Sequence, residues 1–327
     1  MEVQDRAELC FPHLPNISCR RPLSSGSEAV ILKILLFSFT VLTIALNLLV
    51  IISVSHFRQL HTPTNILLLS LAVSDFLVGI VVMPGAIAKQ ISCWFVGDVV
   101  CSLSIYIAFI IISSSVGDMV LISVDRYVAI CDPLHYTTKI TVRRVKLCVC
   151  LCWLFSALFS IVLAKDYLIH PGKYNSCHGE CVMVVDYISG VTDLVLSFII
   201  PVTLIIILYM RVFVVAVSQA RAMRSNVTAG TLQVSVISKK SELKAARTLG
   251  IIVVVFLVCC FPYYCASLVE DKLFNSLYAS FLLSLLHFNS CLNPVIYAMF
   301  YPWFRKSIKL IVTLQILQSG SSDVNIL

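Results

Sequence analysis

The chain has 327 residues, 59% hydrophobic and 13% charged, with a mean hydropathy of +0.96 and a formal net charge of +7. A soluble domain carries about 25% charged residues, so disorder, collagen-like repeats and a nucleic-acid-binding domain are excluded despite the positive balance. The apolar residues lie in long blocks that need lipid.

A helix crosses a ~30 Å hydrocarbon core with about 20 mostly apolar residues. Seven stretches qualify, near 30–55, 65–88, 99–130, 144–164, 186–216, 246–268 and 274–299. The predicted fold is an all-α seven-helix bundle over 29–300. An extracellular segment, 1–28, precedes it, and an amphipathic helix with a short tail, 301–327, follows it. The first stretch is not a cleaved leader, because it starts late, exceeds an h-region and lacks a small-residue cleavage site. No internal repeat is visible, which argues against a transporter built from duplicated halves.

With the N-terminus outside, sixteen of the 24 Lys and Arg fall in the inner loops and tail. Positive loops stay cytoplasmic, so the expected arrangement is a multi-pass plasma-membrane protein with its C-terminus inside. Cys10, Cys19, Cys93, Cys101, Cys177 and Cys181 then lie on the oxidising side, where disulfides persist. Asn16-Ile17-Ser18 on the same side is a glycosylation acceptor. Asn226-Val227-Thr228 matches the pattern but falls inside and is discounted. The cysteines within spans read as small apolar packers, and no Cys/His spacing suggests a zinc site.

In chain order, Asn47 on span 1, Asp75 on span 2, and Asn289 and Asn293 on span 7 are polar groups at bilayer depth, which are costly and mark functional candidates. The bland reading is interhelical hydrogen bonding. The sharper one places a sodium ion among Asp75, Ser115, Asn289 and Asn293, since hard cations take several oxygen ligands. From Cys101 to Arg126, span 3 rises about 37 Å at 1.5 Å per residue, from one membrane face to the other. Asp125-Arg126-Tyr127 stands at the inner end. An arginine there needs a carboxylate, and Glu242 at the start of span 6 is the candidate for a breakable, two-state pair.

Asn47, Leu71-Ala72-Val73-Ser74-Asp75, Cys101, Asp125-Arg126-Tyr127, Trp153, Pro201, Pro262 and Asn293-Pro294-Val295-Ile296-Tyr297, in this order on seven spans, resemble rhodopsin-like G-protein-coupled receptors from about residue 30 to 312. More narrowly, the run Asn289–Phe304, the first inner loop His56–Asn65 and Lys244–Gly250 resemble the trace amine-associated receptors. That resemblance implies a Cys101–Cys181 disulfide and a second bridge from Cys177 to the N-terminus, with Cys19 preferred to Cys10. It further implies volatile or biogenic amine ligands, an olfactory role, a stimulatory or olfactory-type G protein and cyclic AMP. No cofactor or nucleic acid is implied. Pro262 would be the span-6 hinge. Pro133 and Leu134 of the second inner loop, with Arg126, Tyr209 and Tyr297, would line or stabilise the G-protein opening.

Two departures matter. The usual ammonium-binding aspartate of span 3 is Ala108 here, and a tryptophan usual on span 6 is Cys260. Asp193, on span 5 eight residues before Pro201, restores a carboxylate, and a subset of the family resembles this chain in that exchange. The expected pose turns the ammonium towards Asp193 and Ser197, and the organic part towards spans 3, 6 and 7. Tyr106, Phe109, Tyr263, Tyr264 and His287 form the expected aromatic and imidazole wall, since aromatic faces attract ammonium by about 0.5–2 kcal/mol. Asp186, on about the same face as Asp193, could take the second ammonium of a diamine. A non-amine ligand with a structural Asp193, or a transporter, are the rivals. No nucleophile–base pair or phosphate loop suggests an enzyme.

Overall fold

The computed structural model describes residues 9–20, 27–91, 93–227, 250–266 and 277–326. Seven spans make up the bundle. Span 1 is Ser27–His56, span 3 Asp98–Cys131, span 4 Val142–Ile169 and span 7 Leu277–Phe300. Span 6 is described over Gly250–Ala266, a shorter apolar helix, while the other six are long and apolar enough to cross a membrane. Phe37, Leu154, Phe155 and Phe213 are exposed on the outer faces of the helices. In water such surface would be unfavourable, whereas lipid covers it at little cost. This is a multi-pass membrane protein.

Spans 2 and 5 depart from plain helices. Span 2 runs Pro63–Leu77, passes through a π-helical turn at Val78–Val82 and continues as Met83–Ile91. Span 5 runs Tyr187–Asp193, turns as a π-helix over Leu194–Ile199 and continues as Ile200–Val227. Each turn precedes a proline, Pro84 or Pro201. Proline lacks an N–H and its ring clashes with the carbonyl four residues back, which is Ile80 or Ser197. A wider turn relieves both problems.

Polar side chains fix the helix starts. Thr62 caps span 2 through Asn65 N at 3.3 Å, and Thr141 caps span 4 through Arg144 N at 3.4 Å. Spans 3 and 4 approach closely at Gly117, where an added Cβ would stand 2.2 Å from Cys152 Sγ. After span 7, Tyr301 turns the chain into the helix Pro302–Val312, which buries Trp303, Phe304 and Ser307 and exposes Arg305, Lys306 and Lys309. This matches the amphipathic pattern expected at a membrane surface.

One end of the bundle carries three disulfides, Cys10–Cys93, Cys19–Cys177 and Cys101–Cys181. The pairings of Cys101 and Cys19 are those the resemblance implied. Cys93 had no assigned partner in the sequence, and Cys10 takes it. Phe11 packs edge-on against Phe95 with ring centroids 5.4 Å apart and at a tilt against His178 at 4.6 Å. The segment from Cys10 to Cys19 thus spans the loops before span 3 and before span 5. At the other end stands Arg126.

Candidate functional site

Asp193 ends the first helical segment of span 5, where the π turn begins. Its side chain is half-buried. Ser197, one turn further on, reaches its carboxylate, and the carboxylate charge acts on the Tyr263 and Tyr264 hydroxyls of span 6. Tyr264 is buried, stacks on Phe198 of span 5 with centroids 4.4 Å apart and meets Tyr263 edge-on at 5.5 Å. The expected grouping of Asp193, Ser197, Tyr263 and Tyr264 is therefore together in space, although the residues come from two spans.

Phe109 packs beneath the Cys101–Cys181 bridge with Trp94, Tyr167 and Met183, a floor for the disulfide end. His287 is buried on span 7 and lines two cavities. One lies between spans 1, 2 and 7, with Leu36, Met83 and Leu283. The other is bounded by Val78, Ser115, Cys260, Tyr264 and Asn289. Ala108, where an acid is usual, packs with Val78, Val82 and Ile111.

Two expected ligand residues are engaged elsewhere. Tyr106 points its hydroxyl at span 4, donating to the Ala157 carbonyl at 3.3 Å. Asp186 is exposed and caps span 5, accepting from Ser189 N at 3.1 Å. Hydrogen bonding from the Ser189 side chain, and then from its backbone, holds the carboxyl below the ordinary aspartate range. In this structure Tyr106 packs against span 4, and Asp186 is a solvated helix cap. Tyr167 fixes this entry to span 5 by hydrogen-bonding both the N–H and the carbonyl of Val184.

Deeper in the bundle, Asp75 is fully buried and accepts from Asn293 Nδ2 at 2.8 Å. Asn47 donates to the Ser290 carbonyl at 2.9 Å. Asp75 Oδ1, Asn47 Oδ1, Asn289 Oδ1 and Asn293 Oδ1 have no hydrogen-bond partner among the described residues, and Ser115 faces the cavity nearby. Oxygens of this kind are the ligands that hard cations take. A second buried acid, Asp118, accepts from Ser70 Oγ at 2.8 Å, and Ser70 accepts from Trp153 Nε1 at 3.1 Å.

At the Arg126 end the observed ion pair is local. Arg126 Nε donates to Asp125 Oδ2 at 3.0 Å. Asp125 also accepts from Thr64 at 2.9 Å and from Tyr136 at 2.8 Å. The expected partner, Glu242, lies outside the described residues. Thr64 and Tyr136 were not singled out in the sequence, since they lie far from Asp125 in the chain or in a loop. Tyr209 of span 5 and Tyr301 lie near enough for Arg126 to act on their hydroxyls. Tyr297 is fully buried beside them, its ring 6.1 Å from Tyr301. Tyr127 packs against Ile130 and Val212. Pro262 lies within the span-6 helix and Pro294 within span 7. Between spans 3 and 4, Pro133 and Leu134 precede the short helix Tyr136–Lys139, and Leu134 is 87% exposed.

The model of the 7 transmembrane receptor (rhodopsin family) matches residues 46–297. The chain is 38% identical over 331 residues to trace amine-associated receptor 13c of Danio rerio, covering 98% of this chain and 97% of that protein. It is 38% identical over 335 residues to trace amine-associated receptor 8a of Rattus norvegicus, covering 98% and 96%. It is 38% identical over 334 residues to trace amine-associated receptor 6 of Homo sapiens, covering 98% and 95%. With its seven-helix bundle, its stapled end and a match that runs nearly from end to end, the chain belongs to the trace amine-associated receptors of the rhodopsin family, and is a receptor rather than an enzyme.

Proposed function

We propose that the protein is a plasma-membrane receptor for volatile or biogenic amines, olfactory in role, in which the ligand's ammonium pairs with Asp193. The observation that carries this reading is the position of Asp193 beside Tyr263 and Tyr264, with Ala108 in place of a span-3 acid. A half-buried carboxylate pays a desolvation cost that a bound ammonium offsets through charge pairing and charge-assisted hydrogen bonds. Ser197 orients the carboxylate, and the tyrosine faces add cation–π attraction. Phe109 and His287 bound the space towards spans 3 and 7.

Binding must favour an outward-tilted span 6 over the closed state, since equal affinity for both would shift nothing. Span 6 turns about Pro262, and Arg126 leaves Asp125. The opening, lined by Arg126, Tyr209 and Tyr297 and flanked by exposed Leu134 and Pro133, receives a G protein of the stimulatory or olfactory type, which raises cyclic AMP. The disulfide end faces outward with Asn16 glycosylated, and the tail lies in the cytoplasm. Asp75, Ser115, Asn289 and Asn293 hold a sodium ion that favours the closed state. Glu242, at the start of span 6, is a further closed-state partner for Arg126, and tilting parts the two.

The competing reading is a neutral ligand, with Asp193 satisfied by Ser197 alone. Asp193→Ala and Asp193→Asn, tested against primary and tertiary amines with a cyclic AMP readout at equal surface expression, separate the two. Loss of a desolvated charge pair is expected to lower amine potency about 100-fold in both variants. Amine responses that survive Asp193→Ala would remove the anchor.

A further inference from the structure

At the disulfide end, span 2 carries a lysine without a carboxylate. Lys89 is half-buried, and its Nζ stands 5.8 Å from the centroid of the Trp94 ring. Trp94 is 9% exposed and packs with Cys101, Ile105 and Cys181. The ring therefore draws the ammonium towards span 3, away from the headgroups to which a lysine at a span's end ordinarily snorkels. No charge among the described residues acts on it, because the acids of the outer loops are engaged elsewhere. Asp98 accepts from Asn175 at 2.9 Å, Asp166 from Lys173 at 3.2 Å and Glu180 from Ser176 Oγ at 2.7 Å, while Asp186 caps span 5. An ammonium held out of water without a counter-ion is unfavourable, and one aromatic face offsets only part of that. One turn below Lys89 on the same helix face, a Cβ added to Gly85 would meet nothing within 4 Å. Below that, Val82 belongs to the cluster that holds Ala108, where the usual acid is missing. The outer half of the bundle thus has a carboxylate on span 5 and an ammonium on span 2, with open room beneath the ammonium.

We propose that Lys89 is a second charge anchor of the receptor, and that the ligand class is the ω-amino carboxylates. The ligand's ammonium sits on Asp193 of span 5, its carboxylate on Lys89 of span 2, and its alkyl chain runs between them past Phe109. This rests on the Asp193 pairing proposed above and names the other end of the ligand. A carboxylate gains charge pairing and charge-assisted hydrogen bonds in a partly desolvated setting, where both are stronger than in bulk water. A second ammonium is disfavoured, since Lys89 repels it and Asp186 is already a helix cap. Ala108 fits the same scheme: an acid on that side of span 3 would compete with the ligand for Lys89, and alanine removes the competitor.

The test uses the full receptor on cells at matched surface levels, read as cyclic AMP. Its ligands are the ω-amino acids from 4-aminobutanoic to 8-aminooctanoic acid, each beside the monoamine, the diamine and the ω-amino amide of equal chain length. In the wild type the best amino acid is expected to exceed its monoamine and its amide about 10-fold in potency, as one added charge pair allows, with the diamine below the monoamine. Lys89→Gln is expected to abolish that advantage while leaving the monoamine within about threefold of wild type. Lys89→Arg is expected to keep the advantage, and Lys89→Glu to transfer it to the diamine. A wild type in which no amino acid exceeds its monoamine, or in which the amide equals the acid, overturns the proposal. So does an equal loss of acid and monoamine in Lys89→Gln, the result expected if Lys89 serves a lipid headgroup or the fold. The wild-type comparison needs no variant, so it decides even if a variant fails to reach the surface. The Asp193 pairing fails separately: monoamine responses that survive Asp193→Ala remove it, whereas the Lys89 anchor is read only from the advantage that a carboxylate confers.

Discussion

Asp125 accepts from Arg126, Thr64 and Tyr136. Three donors on one carboxylate hold the arginine folded against its own helix. Burial, with the Asp125 charge beside it, pushes the Tyr136 phenol above its ordinary range, so it remains a donor throughout the physiological pH range. Thr64 also accepts from Arg126 Nη2, so removing either outside donor weakens the closed arrangement. Thr64→Ala and Tyr136→Phe are expected to raise ligand-independent cyclic AMP two- to tenfold, as the loss of one hydrogen bond to a charged group of about 1.5–3 kcal/mol allows when other donors compensate in part. Unchanged basal signalling in both variants would show that the lock lies elsewhere. The need of Arg126 for a carboxylate was legible in the sequence, and its closed-state partner was not. Consecutive residues on a helix do not ordinarily face each other, and what makes the Asp125 pair work comes from span 2 and from a loop tyrosine that hydropathy does not mark.

At the scale of the helices, hydropathy located every span, because burial in lipid leaves a continuous signal in composition. The π turns were not legible, although the prolines behind them were. One residue amounts to about 100° of rotation about a helix axis, so the turn at Leu194–Ile199 changes the bearing of Asp193 relative to the regular helix below it. A plain helical projection put Asp186 and Asp193 on one face, yet the cap at Ser189 claims the former. The approach of spans 3 and 4 is set by one missing side chain. Gly117→Ala is expected to cost about 1–3 kcal/mol, as overpacking of a filled interface does, because its Cβ would meet Cys152 Sγ. Cys152→Gly is expected to restore most of that loss in the double variant, measured as the thermal midpoint of the detergent-solubilised receptor. Additive losses would mean that the contact is not the cause.

Over the whole molecule, the two ends of the bundle are built differently. The Arg126 end is held by hydrogen bonds and by the returning tail, where Arg58 pairs with Asp323 at 3.6 Å and Ile326 N donates to Gln59 at 3.3 Å. The cysteines of the opposite end could be sorted by compartment from charge alone, but the Cys10–Cys93 pair depends on how the N-terminal segment lies across two loops, which only folding decides. Together the three bridges close a covalent hoop from three short stretches, Cys10 to Cys19, Cys177 to Cys181 and Cys93 to Cys101. A protease that nicks the first stretch would therefore release nothing: the amino-terminal fragment stays fastened through Cys10. On gels it should separate only after reductant is added, and its departure under oxidising conditions would mean that the hoop is open.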